Sequence, residues 1–301
     1  MMRAKTAAAI GLVMLALAVS PFASPIRQDA QREAPRYSRI VSLVPAVTEM
    51  LFAMGAGGAV AGISSYDRYP PEALTRPKVG GLIDPDFERI LSLRPDLVIT
   101  YGTQSELIDR LRRANIGIYN YEHAGLADIT ATLRSLGQRI GRRAEAERLA
   151  ASLEQHLADV RARVAGRPRP RTALIIGREL GTLRGVHASA GVGFLHDLLE
   201  TAGGIDVFDD VKRQSLQVST EVLLARAPEV ILELHPPEGW TPEKIARERA
   251  VWQQLPSLPA VRRGRIHILT DHRLIVPGPR VGDAARMIAD LLHPPSLPSN
   301  R

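Results

Sequence analysis

Two glutamates, Glu88 and Glu221, occupy the same place in two copies of one phrase, FERILSLRPDLVIT (Phe87 to Thr100) and STEVLLARAPEVIL (Ser219 to Leu232). The copies align without a gap at a separation of 133, which also pairs Pro95 with Pro228. Each glutamate follows a helix-capping residue by two, Asp86 or Ser219. A carboxylate in a first helical turn is stabilised by unpaired backbone N–H groups and the helix dipole, by about 0.3–1 kcal/mol, and that alone explains both residues. The alternative is a pseudo-symmetric pair of acids on matching corners of two lobes, able to dock a basic, two-fold partner. Both readings stand at this level.

Other chemistry is sparse. His123, His187, His235 and His272 fall near strand ends or loops, where an imidazole could ligate a metal already held by a chelate. No HExxH or comparable close pair occurs, so no dedicated metal site is expected. With no cysteine in 301 residues, disulfides, thiolate-bound zinc, iron–sulfur clusters and thiol catalysis are excluded. The glycine fragments GAGG (Gly55 to Gly58) and GVG (Gly191 to Gly193) do not complete the GxGxxG dinucleotide signature, and no Ser/His/Asp set or carboxylate pair stands out. No catalytic residue is assigned, although paired Rossmann-like lobes also occur in enzymes.

The elements that must position these residues alternate. Short β-branched runs at Arg39 to Val44, Val60 to Ser64, Leu97 to Thr100 and Gly117 to Tyr121 are separated by helical patterns at Ala46 to Met54, Phe87 to Leu93, Ser105 to Ala114 and Leu126 to Ile140. A second series has strands at Thr172 to Gly177, Glu229 to Leu234 and Arg265 to Leu269. Its helices fall near Val192 to Thr201, Thr220 to Arg226, Pro242 to Gln254 and Val281 to Leu292. This predicts an α/β fold of two Rossmann-like lobes with mostly parallel sheets. Between them, Leu149, Leu153, Leu157, Val160 and Val164 lie on one face of a long amphipathic helix, which the proline-rich GRPRPR (Gly166 to Arg171) ends. The expected boundaries are a signal peptide at 1–24, a leader at 25–38, a first lobe at 39–143, a connecting helix at 144–166, a second lobe at 167–293 and a tail at 294–301.

The signal assignment rests on Arg3 and Lys5 followed by a short apolar run from Thr6 to Val19, too short for a bilayer of roughly 20 residues. Cleavage would place the mature chain outside the cytoplasm; an uncleaved membrane anchor is the rival reading. The formal charge is +7, but the basic residues are scattered among acids with few aromatics, which argues against nucleic-acid binding.

Several motifs in order, RIVSLVPAVTEMLFAMGAGGAVAGISSYDRYP, VGGLIDPDFERILSLRPDLVIT, the long helix, FLHDLLETAGGIDVF, VSTEVLLARAPEVIL and VPGPR, resemble the periplasmic substrate-binding proteins of ABC importers for cobalamin, ferric siderophores and haem. The resemblance runs from Arg39 to Leu292 and is strongest to the cobalamin binders. It implies a rigid helix bridging two lobes, a ligand cleft between them, and one glutamate per lobe, here Glu88 and Glu221, meeting arginines of a transmembrane permease dimer. It implies a monomer, no cofactor, and a corrinoid or iron chelate as cargo, with haem or a siderophore as the alternative ligand. A sensor-docking relative is a further alternative. Tyr66 and Tyr101 fall on positions where the family surrounds its ligand with aromatics, and Tyr66 could instead serve a haem as axial ligand. Asp271 and Arg280 match a segment that supplies polar contacts, or form a loop-stabilising pair; His123 and His272 complete the candidate ligand set. Where the family's cobalamin binders carry tryptophans, this chain has Val79 and the run Arg213 to Gln217.

Overall fold

The computed structural model describes residues 37–294. In the first lobe β1 (Ile40–Ser42), β2 (Val60–Ile63), β3 (Leu97–Tyr101) and β4 (Gly117–Tyr121) form a parallel sheet in the order β2-β1-β3-β4. Between and after them run α1 (Pro45–Ala53), α2 (Phe87–Ser92), α3 (Ser105–Arg113) and α4 (Leu126–Ile140). β1 and most of β3 are buried throughout, as a parallel strand covered on both faces must be, so their apolar runs are continuous rather than alternating.

α5 (Arg143–Val164) connects the lobes. It buries Ala146, Ala150, Leu153, Leu157, Val160 and Val164 in one hydrophobic cluster with Val47 and Leu136 of the first lobe and Leu198 and Ile288 of the second. α4 ends on Gly141 in the left-handed region (φ 72°), which turns the chain back so that α4 and α5 pack closely. A side chain at Gly137 would overlap Ala146 at that crossing.

The second lobe comprises β5 (Arg171–Gly177), β6 (Val186–Ser189), α6 (Phe194–Thr201), β7 (Ile205–Asp206), β8 (Ser215–Val218), α7 (Thr220–Arg226), β9 (Val230–His235), α8 (Pro242–Val251), α9 (Pro259–Arg262), β10 (Ile266–Thr270) and α10 (Val281–Leu292). Its sheet runs β10-β9-β5-β6-β8, with β7 beside β5. β6 is antiparallel to both its neighbours, and the other pairings are parallel. β6, β7 and β8 were not expected from the sequence, because VHAS, ID and SLQV are short and mixed in polarity and exist only through pairing.

The repeated phrase is a repeated structure. α2 and α7 are each capped by the predicted residue: the Asp86 side chain accepts from the Arg89 N–H at 2.9 Å and the Ser219 side chain from the Val222 N–H at 3.4 Å. Each unit then turns through a non-glycine residue with φ 47°, Arg94 and Ala227, which again stand 133 positions apart. A left-handed residue followed by proline stops the helix and aims the chain into β3 or β9.

Candidate functional site

Parallel strands leave their C-terminal ends open, and here those ends of the two sheets face each other across a cleft. A pocket of about 260 Å3 lies there, lined from the first lobe by His123 and Ala124 and from the second by Ile176, Val192, Phe194, Gln214, Ile275 and Pro277 among others. The lining is largely apolar and, among the described residues, contains no lysine, arginine or carboxylate.

A row of rings runs along this junction. Tyr101, ending β3, meets Tyr121 of β4 edge-on at 5.7 Å; Tyr121 stacks on His123 at 6.1 Å and 9°; His123 meets Phe194, which opens α6, edge-on at 5.7 Å. The row therefore crosses from one lobe to the other. Tyr121 ends β4 and His123 follows two residues beyond it with its ring parallel to that of Tyr121, while parallel pairing sets Tyr101 directly beside Tyr121. Neither His123 nitrogen has a hydrogen-bond partner among the described residues, nor does the Tyr121 hydroxyl. Burial lowers the basicity of His123 against the pull of Asp128 and Asp197, favouring a neutral imidazole, and burial likewise pushes the Tyr121 phenol upward. Orphaned polar atoms beside a cleft are places where a bound molecule can complete the hydrogen bonding.

Tyr66 stands at the rim, 57% exposed, with its ring against Gly81. Any side chain at 81 would collide with that ring, so the glycine permits the approach. Gln104, which sequence reasoning did not single out, fixes this corner: its Oε1 accepts from the Tyr101 N–H at 2.9 Å, and its Nε2 donates to the Leu82 carbonyl at 2.9 Å. Leu82 and Ile83, the latter 89% exposed, project beyond it.

The polar candidates are otherwise engaged. Asp271 and Arg280 are not each other's partners. Asp271 pairs with Arg273 at 2.7 Å, whose guanidinium holds its carboxyl below the usual carboxylate range. Arg280, at the start of α10, grips Glu49 of α1 through two bonds of 2.6 and 2.9 Å and stacks 3.9 Å over the Tyr69 ring. His272 Nε2 lies 3.0 Å from Glu238, whose same oxygen accepts from Arg68 Nε at 2.7 Å. Arg280–Glu49 and Arg68–Glu238 thus tie one lobe to the other, and sequence separation of 231 and 170 residues hid both pairs. Between Tyr66 and Arg68, Asp67 is fully buried with no hydrogen bond to either oxygen among the described residues. Burial pushes its carboxyl up to about 7, with the Glu49 charge adding to the shift and Thr48 and Ser64 offsetting part of it.

The remaining candidates lie elsewhere. His187 is exposed on β6, and His235 is bound to Glu233 at 2.7 Å in a buried network with Arg178, Glu248 and Trp252. Both tryptophans belong to that region, since Trp240 stacks on His235 at 4.1 Å. Val79 is buried in the first lobe's core, while Gln214 of the Arg213–Gln217 run does line the cleft. Glu88 and Glu221 are both exposed. Arg110 lies 3.6 Å from Glu88, and the Ser219 and Thr220 hydroxyls hold the Glu221 carboxyl below its usual range.

Two lobes, one connecting helix and an apolar cleft at facing strand ends define an α/β binding protein, and the chain belongs to the periplasmic binding protein family, whose pattern it matches over residues 40–272. Among its relatives, the vitamin B12-binding protein of Pectobacterium carotovorum is 30% identical over 225 residues, covering 74% of this chain and 79% of that protein. The crystal structure of the periplasmic vitamin B12 binding protein BtuF of Vibrio cholerae superposes with a TM-score of 0.72 at 26% identity, covering 85% of this chain and 96% of that one. The periplasmic heme-binding protein RhuT from Roseiflexus sp. RS-1, in apo form, superposes with a TM-score of 0.70 at 28% identity over 85% of this chain and 99% of that one. Among the described residues no helix is long and apolar enough to cross a membrane. The expected signal peptide at 1–24, most of the expected leader at 25–38 and most of the expected tail at 294–301 fall outside the described residues.

Proposed function

We propose that this protein captures a corrinoid of the cobalamin class outside the cytoplasm and delivers it to the permease of an ABC importer, without catalysing a reaction. The observation that carries the ligand class is an aromatic, apolar cleft whose nearby arginines are already neutralised. Haem brings two carboxylates that need cations, whereas Arg280 and Arg68 are held by Glu49 and Glu238. A corrinoid offers a broad apolar ring edged with neutral amides, which suits flat ring contact and the orphaned His123 nitrogens. In this reading Tyr66, Tyr101 and His123 contact the ligand, joined by Phe194 and Gln214. Asp271, His272 and Arg280 shape the second lobe's rim. Glu88 and Glu221 contact one half each of a dimeric permease, and residues 1–24 act as a cleaved signal. The vitamin B12-binding relatives support the ligand class, and the doubled cap–helix–turn–strand unit supports the docking pair.

Calorimetric titration of the mature protein with cyanocobalamin, hemin and ferric siderophores tests the proposal. Saturable one-to-one binding of cyanocobalamin, weakened about tenfold by His123→Ala or Tyr101→Ala, is the expected result, since removing one buried polar or aromatic partner costs about 1–2 kcal/mol. Binding of hemin alone would overturn the ligand assignment.

A further inference from the structure

The GRPRPR segment, whose only assigned task so far is to end α5, forms one wall of a second basin. It lies at the opposite edge of the second lobe's sheet from the cleft, where β5 and β10 begin. The basin encloses about 430 Å3 and is lined by Arg167, Arg169, Arg263 and Arg265, with His293 and a single carboxylate, Glu229.

The charges do not cancel. Arg263 pairs with Glu229 and Arg169 with Glu200, each at 2.5 Å, which among the described residues leaves two of the four guanidinium charges without a carboxylate. Arg167 reaches the His293 carbonyl at 3.4 Å, and Arg265 donates to the Leu291 and Leu292 carbonyls at 3.3 and 2.9 Å. Carbonyl partners orient a guanidinium and leave its charge and several donors available. Pro168 and Pro170 fix the backbone between the two wall arginines, so the basin is stiff before anything enters it. Burial lowers the hold of Arg265 on its proton; the Glu229 carboxylate works against that, and Arg263 adds a smaller push in the same direction as burial.

We infer that this arginine basin binds a phosphate-bearing anion, independently of the cleft and its cargo. Planar guanidinium forks match phosphate oxygens in pairs, and two uncompensated ones, Arg167 and Arg265, beside two ion-paired ones suit a diphosphate or a phospholipid headgroup better than a monocarboxylate.

The test titrates the full mature protein with inorganic pyrophosphate at physiological ionic strength and, in a parallel arm, measures co-flotation with phosphatidylcholine vesicles with and without phosphatidylglycerol. Saturable pyrophosphate binding is expected. It should weaken at least tenfold in Arg167→Gln/Arg265→Gln, by roughly tenfold for each charge-assisted hydrogen bond removed. It should be unchanged in the control Arg112→Gln/Arg247→Gln, which removes the same charge from exposed sites elsewhere, and cyanocobalamin affinity should be unaltered in both. Flotation with phosphatidylglycerol that pyrophosphate displaces supports the basin with a lipid headgroup as source, and pyrophosphate binding without flotation supports it with a free phosphate. No saturable pyrophosphate binding, or equal weakening in the two double variants, overturns the inference.

Discussion

Replacing Asp67 by asparagine should stabilise the protein more at pH 8 than at pH 5. The carboxyl has an ordinary value of 3.8 and is pushed up to about 7 in the fold, chiefly by burial. The folded protein therefore holds the proton more tightly than the unfolded chain. That stabilisation is complete below pH 3.8, falls as pH rises through the window from 3.8 to about 7, and is gone above it. The whole shift corresponds to on the order of 4 kcal/mol. Between pH 5 and pH 8 the same linkage relation gives a loss of about 2.5 kcal/mol, with no discount for solvent because the side chain is fully buried. Asparagine keeps the shape and cannot ionise, so the stability difference between variant and wild type should grow by about 2.5 kcal/mol over that range. Urea unfolding of both proteins at the two pH values reads this directly, and other titrating groups cancel in the difference. An equal difference at pH 5 and pH 8 would refute the reasoning and imply that Asp67 ionises normally.

Two further outcomes follow from the geometry. Charge reversal at both Glu88 and Glu221 should abolish corrinoid uptake in a reconstituted importer while calorimetry shows unchanged ligand affinity; full transport by the double variant would reduce both carboxylates to helix-cap roles. Arg280→Met should cost about 3 kcal/mol in chemical unfolding, because it leaves the nearly buried Glu49 without its partner. Adding Glu49→Gln should recover most of that loss, and no recovery would place the damage in packing against Tyr69 instead.

What could be read from the sequence was local. α2 with β3 and α7 with β9 were visible because a cap, a proline and an apolar run lie within about a dozen residues, and the second copy repeats them. The connecting helix was visible because its stripe keeps a helical period. The left-handed Arg94 and Ala227 were not, since neither residue type announces a positive φ. The cleft was legible only in part. Tyr101 and His123 follow strands whose direction the pattern set, whereas Phe194 and Gln104 acquire their roles from neighbours 71 and 22 residues away. The inter-lobe pairs of Arg280 and Arg68 are pure tertiary facts. They also change the reading of Arg280, a candidate ligand contact or partner of Asp271 by sequence and a bridge to Glu49 in the fold.

Those bridges answer differently to dissolved salt. The two halves cannot part along that side without breaking both Arg280–Glu49 and Arg68–Glu238. The two differ in kind. Arg68–Glu238 is substantially exposed, and dissolved ions compete for it, while Glu49 is shielded and keeps its grip in brine. Rising salt therefore loosens one tie between the halves and leaves the other in place.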